Sequence, residues 1–490
     1  MSMNSTDLLK LALTHPLEFR TLCRYKIWYE PKRDITDPEE HATTGYDRES
    51  MRTCWDFLDQ TSRSFAPVIK ELDSVLARVI CIFYLVLRAL DTVEDDMTIP
   101  IEKKEPILRA FYQKLHEPGW NFTESGPEEK DRNLLVKFHA VIDEYMLLDD
   151  ECKRVIADIT KKMGNGMADY CAAAERGQSG VENIADFDLY CHFVAGLVGE
   201  GLSGLFAATQ LEKPFIADQL ELSNSMGLFL QKTNILRDYR EDVDLGREFW
   251  PMSLVKQQGF NNRAELKEPG NEERALWVIS SMVLDALRHA PDVLDYLSLL
   301  KNQSVFNFAA IPQVHAIATL ETCFMNPDIL HKNVKIRKAA AVQILMTVRN
   351  PRDTSVQFVS YARKIHAKLS PADPNFIKLS VALSRIEQWA ERRFPSLLDF
   401  DGGQVLVRRW DKRYITFAEY DRRVTEREVA EKQADALAGK MSFETKNPED
   451  KIPWKFFFLI VGSCISLFVV IGILVWFFVM WLSELGKRGN

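Results

Sequence analysis

The sequence contains no Cys-x-x-Cys pair, and its eight cysteines, Cys23, Cys54, Cys81, Cys152, Cys171, Cys191, Cys323 and Cys464, follow no framework spacing. Zinc ligation and a secreted disulfide scaffold are therefore both unsupported, and a reducing compartment fits best. Positive charge is not in excess either: 62 Lys plus Arg stand against 70 Asp plus Glu, a net charge of −8. That balance excludes a general nucleic-acid binder, which needs a basic surface to displace counterions from phosphates. No P-loop, His-Glu-x-x-His or Gly-x-Ser-x-Gly string occurs, so nucleotide hydrolysis, zinc proteolysis and α/β-hydrolase chemistry lack support. The opening MSMNSTDLLKLALTHP has no basic flank ahead of a strongly apolar core, and the large domain is expected to stay in the cytosol. Alternating β-branched strands and internal repeats are also missing.

What is present is a 490-residue globular composition, 46% hydrophobic and 27% charged. Apolar residues three and four apart dominate from residue 50 to about 395, as in SVLARVICIFYLVLRALDTVEDD, and predict an all-α body. Breaks fall at 31–45, 117–129, 259–273 and 370–375, and 404–420 could hold a short hairpin. Between Lys455 and Glu484 there is no charged side chain for 28 residues, with Trp454 and Trp481 near the ends. Such a run exceeds the ~30 Å hydrocarbon core of a bilayer and predicts one C-terminal transmembrane helix, inserted after translation as a tail anchor. The expected organisation is an N-terminal segment 1–44, a single large helical domain 45–400, a charged extension 401–453, the anchor 454–482 and a short tail 483–490.

Asp91, Glu94 and Asp95 stand at i, i+3 and i+4 after the apolar VICIFYLVLRAL, so a helix would gather their carboxylates on one face. Asp238, Glu241 and Asp242 repeat the spacing after SMGLFLQKTNIL. Adjacent carboxylates next to a buried helix are costly without cations. A solvated patch is the bland explanation, but two matching clusters on core-type helices favour a site. Oxygen ligands without His or Cys suit Mg²⁺, which completes its shell with substrate phosphate oxygens. Arg88, Arg237, Arg240 and Arg247 adjoin the clusters, and metal plus guanidinium is how a departing diphosphate is neutralised. The carbocation left behind would need a dry cavity, for which Phe65, Tyr84, Phe187, Phe193, Phe206, Phe306 and Phe308 are candidate walls, although simple core packing explains most of them. Phe306 and Phe308 precede Pro312, where a break in the backbone is expected at a cavity edge.

Gly199-Glu200-Gly201-Leu202-Ser203-Gly204 has the letters of a dinucleotide fingerprint, but no strand pattern precedes it and the surrounding residues read as one helix. The strings TSRSFAPVI (61–69), YLVLRALDTVEDDM (84–97), YCHFVAGLVGEGLS (190–203), LQKTNILRDYREDVDLGREFWP (230–251), VFNFAAIPQVHAIATL (305–320) and VKIRKA (334–339) occur in this order, and through them the chain resembles the squalene synthases. The tail resembles that of the eukaryotic membrane-anchored members.

The resemblance implies an isoprenoid-synthase fold and a two-step reaction on two farnesyl diphosphates, through presqualene diphosphate to squalene, with NADPH supplying hydride. It implies that Asp91, Glu94, Asp95, Asp238, Glu241 and Asp242 serve Mg²⁺ and diphosphate. Ser62, Arg63, Ser64, Tyr84, Arg88, Arg237 and Arg247 would bind substrate. Tyr190 would take part in proton removal in the first step, and Phe65, Phe306 and Phe308 would line the second-step cavity. Asn234, Lys335, Arg337 and Lys338 would bind NADPH, and the endoplasmic reticulum would be the host membrane. Two other readings remain open: a head-to-head prenyl synthase of phytoene type that needs no reductant, and a catalytically silent tail-anchored scaffold.

Overall fold

The computed structural model describes residues 5–30, 33–62, 65–176, 181–395, 398–401, 404–407 and 426. The chain divides into two units, one comprising Met1–Glu30 with Glu444–Asn490 and the other Pro31–Phe443. The large unit thus begins earlier than the expected boundary at 45, because Ile35 and Thr44 are buried and the Thr44 hydroxyl donates to the Ile35 carbonyl at 3.0 Å. The anticipated anchor 454–482 and most of the extension 401–453 lie outside the described residues.

The large unit is built of helices around one apolar core. Its central helix, Leu220–Arg237, buries residues on most of its circumference, including Met226, Leu228, Phe229, Lys232 and Leu236. Around it pack Ile184–Cys191, Leu197–Ala208, Glu272–Leu287, Ala290–Leu299 and Gln303–Cys323. Leu76–Asp95 is also mostly core, with fourteen buried residues from Leu76 to Val93. This helix stops at Asp96, whose backbone turns out of the helical region and whose carboxylate accepts from the amides of Thr98 and Gly126, each at 2.8 Å. Asp96 is committed to that turn, leaving Asp91, Glu94 and Asp95 on the final turn.

Residues 184–208 run as one helical stretch, as expected of the fingerprint look-alike, but with a π-helical turn at His192–Gly196. Glycine explains how closely this stretch meets the central helix. A Cβ on Gly227 would lie 2.2 Å from the Ala195 carbonyl oxygen, and one on Gly199 2.2 Å from that of Ser223. The stretch is long and apolar enough to cross a membrane by composition alone, yet it packs against Asp150–Glu175, Leu220–Arg237 and Leu76–Asp95.

Two expectations are corrected. The helix Gln303–Cys323 continues through Pro312 without a break, because a helix held by packing on both sides tolerates the loss of one amide donor. The hairpin starts earlier than 404–420: strand Leu398–Asp401 pairs antiparallel with Gln404–Val407, and residues 408–420 lie outside the described residues.

Candidate active site

The first carboxylate set and Asp238 sit at the C-terminal ends of long helices, where unsatisfied carbonyls add negative potential and draw cations, while Glu241 and Asp242 lie in the short helix Tyr239–Asp244 that follows. On the first, Lys104 from the neighbouring helix Ile101–Lys114 is buried and donates to the Glu94 carbonyl at 2.7 Å. Burial pushes the Asp91 carboxyl up to about 7, with Asp95 and Asp131 adding to the rise and Arg88 opposing it. Burial, with Asp91 and Asp95 behind it, pushes Glu94 up to about 8, and Lys104 and Arg247 oppose. In the second set the helix is interrupted at Asp238, but the Asp242 amide still donates to the Asp238 carbonyl at 3.0 Å, so the expected spacing survives. Asp242 is raised to about 6, chiefly by burial. Glu241 is exposed.

Arg247 joins the two sets. Its Nη1 lies 3.0 Å from Asp95 Oδ1 and its Nη2 3.3 Å from Asp242 Oδ1. Gly246, at φ +72°, makes this possible by ending the short helix Tyr239–Asp244 in the left-handed region, so that the Arg247 amide returns to the Asp242 carbonyl at 2.8 Å. The clusters, 143 residues apart from Asp95 to Asp238 in the sequence, face one region of space. Among the described residues no three carboxylate, imidazole or thiol groups converge tightly enough to share one ion, and the Arg247 guanidinium spans the space between them.

The other arginines divide. Arg88 donates to the Tyr84 hydroxyl, which donates to the Thr61 carbonyl at 3.3 Å, and it stands 3.9 Å from Asp131. Arg237 grips Asp238 through two nitrogens, with Nε 2.7 Å from Oδ1. Arg240 pairs instead with Asp244 at 2.6 Å. Ser62 is buried where the helix Glu49–Thr61 ends, and its hydroxyl accepts from the Phe65 amide at 3.2 Å. Arg63 and Ser64 lie outside the described residues.

Tyr190 stacks on Phe249, with ring centroids 4.9 Å apart, and meets Tyr170 edge-on at 5.2 Å. The Arg247 guanidinium lies 6.0 Å from the centre of the same Phe249 ring. Burial drives the Tyr190 phenol far above its ordinary value, with Glu94 and Asp95 contributing, so it is neutral at physiological pH. Phe306 is fully buried in the core, Phe308 nearly so, with its ring edge-on to Phe206 at 6.3 Å, and Phe65 is exposed.

Asn234 is exposed one turn before Asp238, on a helix otherwise deep in the core. Lys335, Arg337 and Lys338 are exposed on the stretch entering the helix Lys338–Thr347, where Val334 and Ile336 face the core in alternation. Sequence reasoning missed Asp131, Lys104 and Phe249. Phe249 had a signal, two residues after Arg247 in GREFWP; the others reach the site from separate elements and had none.

It also missed an ion network centred on the buried Lys232. Lys232 donates to Asp188 and Asp285, and Arg288 donates to the same two carboxylates. This network pins the helix of Tyr190 to the helix of Asp238 two residues from Tyr190 and six from Asp238.

A match to the squalene/phytoene synthase family spans residues 58–340. A squalene synthase from Ganoderma lucidum is 54% identical over 418 residues, covering 82% of this chain and 90% of that protein. One from Mycosarcoma maydis is 57% identical over 405 residues, covering 79% of this chain and 70% of that protein. The solved complex of TcSQS with the ligand E5700 superposes with a TM-score of 0.67 at 40% identity, covering 70% of this chain and 99% of that structure.

Proposed function

The chain belongs to the squalene/phytoene synthase family, and from that premise we infer that it joins two farnesyl diphosphates head to head into presqualene diphosphate and then converts this to squalene. The observation that carries the site is Arg247 reaching one carboxylate of each acidic turn. A guanidinium placed there meets the diphosphate oxygens as the allylic C–O bond breaks.

The donor set fits magnesium: hard oxygens only, with Asp91, Glu94 and Asp242 raised by burial and mutual repulsion that a divalent cation would relieve. Asp91, Glu94, Asp95, Asp238, Glu241 and Asp242 would serve magnesium ions, with no more than two of these carboxylates to any one ion as the structure spaces them, and bound magnesium would supply charge that neutralises the leaving diphosphate. Arg88, Arg237 and Arg247, with Ser62, Tyr84, Arg63 and Ser64, would bind the diphosphate oxygens. Exposed cations at Lys335, Arg337 and Lys338, with the exposed Asn234 amide, suit an anionic dinucleotide, and bound NADPH would supply hydride.

Tyr190 cannot act readily as a phenolate among Glu94 and Asp95. It would donate a hydrogen bond and present its ring, while the released diphosphate is the better base for the proton lost on cyclopropane closure. Phe308, with Phe306 and Phe65, would shield the second-step cation from water. The large unit would face the cytosol at the endoplasmic reticulum, tethered by residues 454–482, so that an apolar product is released towards lipid.

The experiment is incubation of the purified protein with farnesyl diphosphate and Mg²⁺, with and without NADPH. Squalene is expected with NADPH and presqualene diphosphate without it. Joint replacement of Lys335 and Arg337 by Ala should make presqualene diphosphate accumulate even with NADPH. Phytoene-type product formed equally without reductant would favour the reductant-independent reading, and no Mg²⁺-dependent pyrophosphate release would leave a scaffold.

A further inference from the structure

Among the described residues of the N-terminal unit, the corner between the helices Ser5–Thr14 and Pro16–Arg24 is the most exposed apolar feature. All five residues from Leu13 to Leu17 are exposed, with Leu13 77% and Leu17 75% accessible. No residue of Pro16–Arg24 or of the following π-helical turn Tyr25–Tyr29 is buried, although Phe19, Leu22, Ile27 and Trp28 belong to them. Such a segment gains nothing from its leucines in water.

Part of the corner's backbone is nevertheless paired from within. The His15 amide donates to the Leu11 carbonyl at 2.8 Å, the Phe19 amide to the His15 carbonyl at 3.1 Å, and the Thr14 hydroxyl to the Lys10 carbonyl at 2.8 Å. Pro16 has no amide hydrogen to satisfy. These pairings lower the cost of bringing the corner out of water, and the first-turn amides of Pro16–Arg24, which no side chain caps, remain for headgroup oxygens.

Charge selects the kind of surface. Between residues 10 and 24, Lys10, Arg20 and Arg24 stand against Glu18 alone, with Asp7 one turn before Lys10, in a chain whose net charge is −8. Tyr25, Trp28 and Tyr29 follow, residue types that settle at the level of lipid headgroups. The unit also includes by sequence the run without charge between Lys455 and Glu484.

We propose that residues 10–29 form a second lipid-contact site, in which Leu13 and Leu17 enter the acyl region of an anionic bilayer while Lys10, Arg20 and Arg24 meet its headgroups. The contact orients the N-terminal unit on the membrane and is separate from any transmembrane segment.

The test uses the full chain in vesicles of phosphatidylcholine with or without phosphatidylserine. A solvatochromic amino acid replaces Leu13, Leu17 or, as a reference on the large unit, Glu273, and spin-labelled lipids act as quenchers. Quenching at 13 and 17 should exceed that at 273 by about threefold or more in phosphatidylserine vesicles. The Lys10→Glu/Arg20→Glu pair should reduce it towards the reference. Protein that joins the vesicles while positions 13 and 17 stay as water-exposed as 273 would overturn this site and leave the anchor intact. A blue shift that grows with protein concentration in the absence of lipid would assign the corner to a second copy of the chain, also overturning it. Equal quenching with and without phosphatidylserine would overturn the assignment to anionic headgroups.

Discussion

The carboxylates at the end of Leu76–Asp95 and those around Asp238 share one spacing but not one environment. In the first turn Asp91 and Glu94 are pushed up to about 7 and about 8, and their arginine, Arg88, is also engaged by the Tyr84 hydroxyl. In the second, Asp238 is gripped by Arg237, Asp242 rises only to about 6, and Glu241 looks into solvent. The first turn is thus the more repulsive and the more dependent on an added cation; the second is half neutralised by the protein itself. Identical sequence spacing fixes which carboxylates meet, whereas the neighbours decide how much charge they carry when nothing is bound.

Replacing one member of each turn tests this most severely. Asp91→Asn removes a desolvated carboxylate from the repulsive turn and should lower kcat for pyrophosphate release by about 10³-fold, at the upper end for loss of one electrostatic group. Glu241→Gln, exposed in the half-neutralised turn, should cost no more than about tenfold. Equal losses in steady-state assays of both variants would remove the distinction between the turns.

Arg247 comes next because it belongs to both. Arg247→Ala should reduce kcat/KM by about 10²-fold, with Arg247→Lys recovering part of it, since an ammonium keeps the charge but loses the two-pronged reach. A pH profile adds a sign. Arg247 holds Glu94 and Asp242 below the values that burial alone would give them. Without it both carboxyls keep their protons to higher pH, and protonated carboxyls bind Mg²⁺ poorly. The acid limb of the variant's rate profile should therefore move to higher pH, with a larger deficit at pH 6 than at pH 8. An unshifted limb would mean that Arg247 does not report on these groups.

Much of this arrangement was legible in the sequence because helical period is local information. The spacing of Asp91, Glu94 and Asp95 requires only that the segment be a helix, and Asp238 and Asp242 keep their register even across the interruption at Asp238. The rejection of the glycine string at 199–204 as a nucleotide loop rested on the same periodicity and agrees with the helix Leu197–Ala208. What the sequence hid is what the fold brings from afar. Asp131, Lys104 and the Lys232 network act on the site through contacts that no spacing encodes. The break expected at Pro312 failed for a related reason: proline disfavours a helix locally, but the packing of Gln303–Cys323 on its neighbours outweighs one lost hydrogen bond.

The smallest effect is the most specific to the contrast between the turns, because it concerns stability without any substrate. Glu94 titrates at about 8 in the fold against an ordinary 4.5, so the folded protein binds that proton more tightly than the unfolded chain does. The associated stabilisation is complete below the unfolded value and is lost as pH rises through the window from 4.5 to about 8. Glu94→Gln stays neutral throughout. In the absence of Mg²⁺ it should match the parent near pH 5 and melt a few degrees above it at pH 8. Mg²⁺ should then erase or reverse the difference, because an ion bound only by the folded state raises the parent's melting temperature by mass action and finds one carboxylate fewer in the variant. Scanning calorimetry at the two pH values, with and without Mg²⁺, reads all four terms. A variant less stable than the parent at pH 8 without metal would show that Glu94 is already neutralised by Lys104 and Arg247, and the first turn would then be no more dependent on an added cation than the second.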